Sequence, residues 1–189
     1  MRRRTSTLLL APAAAALAIG AGGCGNKTIS IHGGDTEGVF LNVGPMKYQV
    51  QISRQLNPSI PEDSTFLSDV GQGQNKLAPD ELWFAVFIRV ENPSKQAQVP
   101  ASDYEITDTE HNVYRPVFIG PGNPFRYTTR PIPADGVAPD PDSIAGQLGS
   151  IDGQELLFRL KRSTLDNRPL VLTIRSTSPP DRATDILDV

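Results

Sequence analysis

Between Leu82 and Val90 the chain reads Leu-Trp-Phe-Ala-Val-Phe-Ile-Arg-Val. At a period of two, Leu82, Phe84, Val86, Ile88 and Val90 share one face, while Trp83, Ala85, Phe87 and Arg89 share the other. The first face is wholly apolar and the second is apolar for three positions before it turns polar. That pattern predicts a strand at the centre of a sheet with another layer against it. Asn92-Pro93 closes the strand, because proline lacks the ladder donor and restricts the residue before it.

Weaker alternations surround this strand. Val39–Val43 and Lys47–Ile52 read as strands joined through Gly44-Pro45, a turn or bulge. In the second, Tyr48, Val50 and Ile52 oppose Lys47, Gln49 and Gln51, the half-buried alternation of an outer strand. Asp103–Asp108, carrying Tyr104 and Ile106, and His111–Val117 predict a hairpin about Thr109-Glu110. Leu156, Phe158 and Leu160 mark a strand over Gln154–Leu160, and Leu170, Leu172 and Ile174 mark another over Leu170–Ile174. Ile186–Val189 is a short apolar tail that adds a terminal strand or lies along an edge. No stretch shows the 3.6-residue period over three turns. The expectation is an all-β chain of about seven or eight strands in two layers.

Two connections are long. Leu56–Asp80 is rich in Pro, Ser, Gly and Gln around one apolar nucleus, Phe66-Leu67, and predicts either a mobile surface loop or part of a site. Gly120–Ser143 carries Pro121, Pro124, Pro131, Pro133, Pro139 and Pro141 and so cannot run as interior sheet. It predicts an ordered crossover that packs its aromatics and ends in a short turn or helical piece at Ser143–Leu148, capped by Asp142-Ser143.

The N-terminus changes the picture of where the chain resides. Arg2-Arg3-Arg4, the apolar run Leu8–Ile19 and the small residues Gly20–Gly23 form a positive region, an apolar region and a processing region. The apolar run falls short of the ~20 residues of a membrane span. The lone cysteine stands at its end, in Ala21-Gly22-Gly23-Cys24, and this segment resembles the lipobox of bacterial lipoproteins. The resemblance implies that Cys24 is joined to diacylglycerol and becomes the first residue after cleavage. It further implies that the chain is lipid-anchored, palmitate among its acyl groups, and faces outside the cytoplasm. An ordinary secretory signal cut near Gly20 is the alternative. Residues 1–23 then form the signal peptide, 24–38 a glycine-rich flexible tether with an extended piece at Thr28–Ile31, and 39–189 the folded domain.

The mature chain keeps 18 − 3 = 15 Lys and Arg against 21 Asp and Glu, a side-chain charge of 15 − 21 = −6. With no basic run, neither nucleic acid nor a polybasic grip on lipid is indicated as a partner, and the acyl chains must do the anchoring. No cysteine besides Cys24 exists, so no intrachain disulfide forms and the domain holds by its core.

The order of segments resembles bacterial surface lipoproteins of uncharacterised function, the DUF4352 and telokin-like group. The features that carry the resemblance are Leu82–Asn92, Tyr104-Glu105-Ile106-Thr107-Asp108 followed by Val113-Tyr114-Arg115-Pro116, Leu157-Phe158-Arg159-Leu160, and Arg168-Pro169-Leu170-Val171-Leu172. It implies an immunoglobulin-like β-sandwich with long proline-rich crossover loops and supplies no catalytic residues.

Candidate chemistry is sparse. A serine hydrolase needs a base, and only His32, in the tether, and His111, in a turn, exist. Clustered His, Cys or Met for zinc or copper are lacking, since Met46 stands alone and Cys24 is consumed by lipid. Asp135, Asp140 and Asp142 follow no calcium-loop spacing, so no metal or other cofactor is expected. Asp103, Glu105 and Asp108 read as a solvated strand face, and Gly71-Gln72-Gly73-Gln74 as a flexible loop rather than a phosphate cradle. Recognition by surface remains, with Phe125, Arg126, Tyr127 and Arg130 as candidate partner-binding residues. The competing reading has Phe125 and Tyr127 pin the crossover to the sandwich. The expected function is a non-catalytic, lipid-anchored binding or scaffolding module for an envelope protein or a small ligand. The alternatives are an envelope hydrolase using acidic residues and a purely structural envelope component.

Overall fold

The computed structural model describes residues 32–147 and 151–189. The segment expected to be a signal peptide, Cys24 and the extended piece expected at Thr28–Ile31 lie outside the described residues. The strands are β1 (His32–Gly34), β2 (Phe40–Val43), β3 (Met46–Leu56), β4 (Glu81–Glu91), β5 (Asp103–Thr107), β6 (Val113–Tyr114), β7 (Val137–Ala138), β8 (Gln154–Lys161), β9 (Leu170–Arg175) and β10 (Arg182–Leu187). One helix, α1 (Pro61–Phe66), lies between β3 and β4.

The strands form two sheets. One has the order β1-β10-β9-β5-β6; the other has β2-β3-β4-β7, with β8 also pairing β4. All neighbours are antiparallel except β1 and β10. The chain changes sheet between β1 and β2, β4 and β5, β6 and β7, and β8 and β9, so β3-β4-β8 face β6-β5-β9-β10. This is an all-β sandwich with an immunoglobulin-like order of connections.

β4 is central, as its two apolar faces require. Leu82, Phe84, Val86, Ile88 and Val90 pack between the sheets with Tyr104, Ile106, Leu170, Leu172 and Ile174. Trp83, Ala85 and Phe87 face outward with Leu157, and a second core of Leu56, Phe66, Ile119, Phe125 and Ala145 covers them. One layer against β4 is therefore a sheet, and the other is α1 together with the irregular crossover.

The structure departs from the sequence pattern at identifiable places. β3 carries a bulge between Val50 and Ile52, which turns Ile52 away from the Tyr48–Val50 face and against the outer core. Gly44-Pro45 is the two-residue turn of the β2–β3 hairpin, with Gly44 at φ +57°, a conformation that suits glycine. The Leu56–Asp80 connection holds α1, whose Phe66 belongs to the outer core. The folded body reaches back to His32 rather than starting at 39, because β1 pairs in parallel with β10. Glu37 extends this attachment: its carboxylate accepts from Ser53 N (3.0 Å) and Asp188 N (3.1 Å). β10 begins at Arg182, ahead of the apolar tail that signalled it. Glu105 is not solvated but buried, paired with Arg175 and with Arg115 (3.2 Å).

Candidate functional site

The crossover from Gly120 to Ser143 starts against the outward face of the β4–β8 sheet, where Phe125 joins the outer core, then follows the sheet edge, where Tyr127, Ile132 and Ala138 pack with the core between the sheets and β7 pairs with β4; it is held by side chains that bond to backbone. Asp69, at φ +53°, accepts from Gly120 N through its carbonyl (2.7 Å) and from Gly122 N through its carboxylate (2.7 Å). A Cβ on Gly120 would collide with that carboxylate, so the close approach demands glycine. The Asn123 amide donates to Phe66 O (2.6 Å) and Ser68 O (3.1 Å), and its oxygen accepts from Phe125 N (2.8 Å). At the other end the Asn92 amide donates to Gln96 O (2.8 Å), Ile132 O (2.9 Å) and Pro133 O (2.8 Å). Asparagine suits both places because one short side chain offers two donors and an acceptor. The Asn92 amide reaches Pro133 O, and Ile132 O alongside Gln98 N, within the crossover, while the Asn123 amide ties the crossover to carbonyls of the α1 segment beneath it.

Between these clamps the chain lies along the edge of β8. Glu155 N donates to Phe125 O (2.6 Å), Tyr127 N donates to Glu155 O (2.8 Å), and Val117 N donates to Leu157 O (2.8 Å). Phe125, 4% exposed, meets Phe66 edge to face (4.9 Å, 63°), and Phe66 meets Phe87 in the same way (4.9 Å, 70°). Tyr127 packs on Tyr104 (5.1 Å, 75°). The Tyr104 hydroxyl donates to the Tyr127 hydroxyl (2.6 Å), which donates to Ala101 O (2.9 Å). The Tyr48 hydroxyl accepts from Ala101 N (2.7 Å). Burial pushes Tyr48 up to about 12 and holds Tyr104 and Tyr127 well above the ordinary phenol value, so all three remain neutral structural groups.

Two clefts open against this segment. The first, of about 200 Å³, is lined by Ser102, Phe118, Arg126, Tyr127, Thr129 and Glu155 among others. The second, of about 420 Å³, is lined by Asn123, Arg126, Thr128, Arg130, Asp140 and Gln154 with a wall of prolines. Arg126 borders both.

Beneath the clefts is Glu155, 1% exposed, with neither carboxyl oxygen hydrogen-bonded. Burial raises its pKa to about 8; Asn123 and Arg54 pull the other way and are outweighed. Both amide protons of Asn123 are already given to Phe66 and Ser68, and Arg54 pairs with Asp63 (2.5 Å). At neutral pH the group is therefore mostly the neutral acid. A second buried carboxyl, Asp185 on β10, is raised to about 7 by burial and by the nearby Glu37 and Asp188 carboxylates, and its oxygens are likewise unpartnered.

The four candidate partner-binding residues divide. Phe125 is buried in the outer core, which corrects its reading as a partner contact, and Tyr127 is half-buried and hydrogen-bonded with one side on the first cleft; both fix the crossover to the sandwich, as the competing reading has it. Arg126 and Arg130 reach the second cleft. Cys24 lies outside the described residues. His111 is exposed in its turn at φ +63°. There the buried Asp108 carboxylate accepts from Glu110 N (3.0 Å) and Asn112 N (2.9 Å). Burial opposes ionisation of Asp108, but these bonds prevail and hold its pKa below the usual value. Asp135 pairs with Lys95 (2.9 Å) and Asp140 accepts from Asp142 N (2.9 Å). Among the described residues no group of three or more His, Cys, Asp or Glu is placed to hold a metal.

No protein-family model matches the chain, and no curated protein matches it. Two solved structures are similar to it. The yjhA protein from Bacillus subtilis is 11% identical over 82% of this chain and 99% of that one, with a TM-score of 0.48. An uncharacterised β-sandwich protein from Clostridium difficile 630 is 8% identical over 82% of this chain and 95% of that one, with a TM-score of 0.44.

Glu155 and Asn123 were not legible as important from sequence, and Asn92 was legible only as the end of the central strand. The only signal for Glu155 was indirect: it stands opposite Phe87, whose apolar face announced a covering layer.

Proposed function

We propose that this protein is a non-catalytic binding module, anchored outside the cytoplasm by lipid on Cys24, that presents the crossover face of its sandwich to an envelope partner. The observation that carries the reading is the clamped crossover, which opens two clefts along the edge of β8. The lipoprotein part rests on Ala21-Gly22-Gly23-Cys24 after the basic and apolar leader. A rigid scaffold carrying an exposed irregular layer is the usual arrangement for recognition.

Labelled fatty acid should enter the wild-type chain and not Cys24→Ala, which should also leave the membrane fraction. Photo-crosslinking from Thr128 in intact membranes should trap a specific partner; a blank result with correctly anchored protein overturns the binding role.

One observation favours the hydrolase alternative, because a carboxyl raised by burial is a property of general acids. Glu155, however, is the sole carboxylic acid lining its cleft, and glycosidic hydrolysis calls for two. An activity screen in which turnover is abolished by Glu155→Gln would decide for the enzyme.

A further inference from the structure

From the bridge at Arg126, paired with Glu155, to the bridge at Ile132, paired with Gln98, the chain runs without a turn. Arg126, Thr128 and Arg130, at alternate positions, all line the 420 Å³ groove. The described residues include every Asp and Glu of the chain, and neither Arg126 nor Arg130 is in an ion pair with any of them. Arg54, Arg89, Arg115, Arg159 and Arg175 by contrast are each paired with a carboxylate. Asp140 is the one carboxylate on the same groove and its oxygen accepts from Asp142 N, so two unpaired guanidinium groups against one carboxylate leave a locally cationic site in an acidic chain.

We propose that this groove binds an extended acidic peptide segment of a protein partner, with one carboxylate on Arg126 and a second on Arg130. The inference deepens the binding-module reading and rests on it. Three features select the ligand. Alternate residues of an extended chain repeat every ~6.6 Å, so Arg126 and Arg130 stand ~13 Å apart along it, the spacing of side chains i and i+4 on an extended peptide. The guanidinium fork matches a planar carboxylate bidentately. The groove wall includes Pro121, Pro124, Pro131 and Pro133, which lack N–H groups, so these positions offer none of the converging backbone donors on which phosphate sites are built. Ile132, Val137 and Ala138 add apolar surface for the residues between the two acids.

The test uses the full chain in detergent micelles and fluorescein-labelled peptides with Glu at the first and fifth positions and varied apolar residues between. Anisotropy should show saturable binding that weakens at least tenfold in the Arg126→Gln/Arg130→Gln double variant and several-fold in each single variant. Raised salt should weaken it, and replacing both Glu by Gln in the peptide should abolish it. Circular dichroism of the variants checks that the sandwich is intact. No saturable binding across the peptide set, or equal binding by the double variant, overturns the assignment. Displacement of peptide by millimolar inorganic phosphate as effective as by free acidic peptide overturns it too, in favour of a phosphate site. Photo-crosslinking separates this failure from failure of the wider reading. A partner trapped equally by the double variant leaves the binding module standing and removes the groove, whereas no partner trapped by wild type removes both.

Discussion

The two faces of β4 bury comparable side chains under unlike covers. Phe84 on the inner face meets a second sheet whose own backbone is satisfied by ladders, while Phe87 on the outer face meets α1 and the start of the crossover, which Asn123 and Asp69 hold together through backbone groups. Apolar burial drives both layers. The outer one depends on individual polar side chains for its course, and the clefts and the unpaired arginines lie where the crossover leaves it for the edge of β8. The inner layer supplies stability, and the outer layer supplies a shaped surface at the cost of relying on a few hydrogen bonds.

The sharpest way to break this contrast is to empty each face in turn. Phe84→Ala should cost ~3–5 kcal/mol and lower the denaturant midpoint of the whole domain in one transition. Phe125→Ala should fall at the lower end of that range, and limited proteolysis should then nick between 120 and 143 while the sheet signal in circular dichroism persists.

Proton linkage comes next. The folded state raises Glu155 to about 8 and Asp185 to about 7, so it binds more protons than the unfolded chain from ordinary carboxyl pH up to those values. These groups therefore stabilise the fold at low pH and lose that contribution as pH rises, each with a slope of at most ~1.4 kcal/mol per unit. Urea unfolding across about pH 5 to about pH 9 should show a shallower decline in Glu155→Gln than in wild type up to its window near 8, and in Asp185→Asn up to near 7. Equal slopes in variant and wild type would show that the carboxyl is solvated.

Asn123→Ala leaves Phe66 O, Ser68 O and Phe125 N without their partner and should cost ~1–3 kcal/mol. Faster hydrogen exchange should be confined to α1 and the start of the crossover; global exchange would deny that the outer layer is separable. The smallest effect is expected at Glu105, held below the usual carboxylate range chiefly by Arg175. Arg175→Gln should cost ~1 kcal/mol above pH ~5, and the difference from wild type should shrink as Glu105 protonates in acid.

The inner core could be read from the chain because strand periodicity is local: Leu82, Phe84 and Val86 declare one face whatever they pack against. The same period announced a layer over Trp83, Ala85 and Phe87 and was silent on its composition. Candidate contacts were harder, because Phe125-Arg126-Tyr127 puts aromatics and a charge on successive residues and nothing local says which turn inward. The bond between Tyr127 N and Glu155 O sets those directions, and it joins residues far apart in sequence.

By itself the sequence determined the all-β class, the central place of Leu82–Val90 and most strand positions, because alternation of polarity is written residue by residue. Tertiary structure alone decided the Val50–Ile52 bulge, the docking of β1 on β10, the burial of Glu155 and the grouping of Arg126 with Arg130 on one groove. Each of these depends on which distant backbone comes alongside, and no local pattern encodes that.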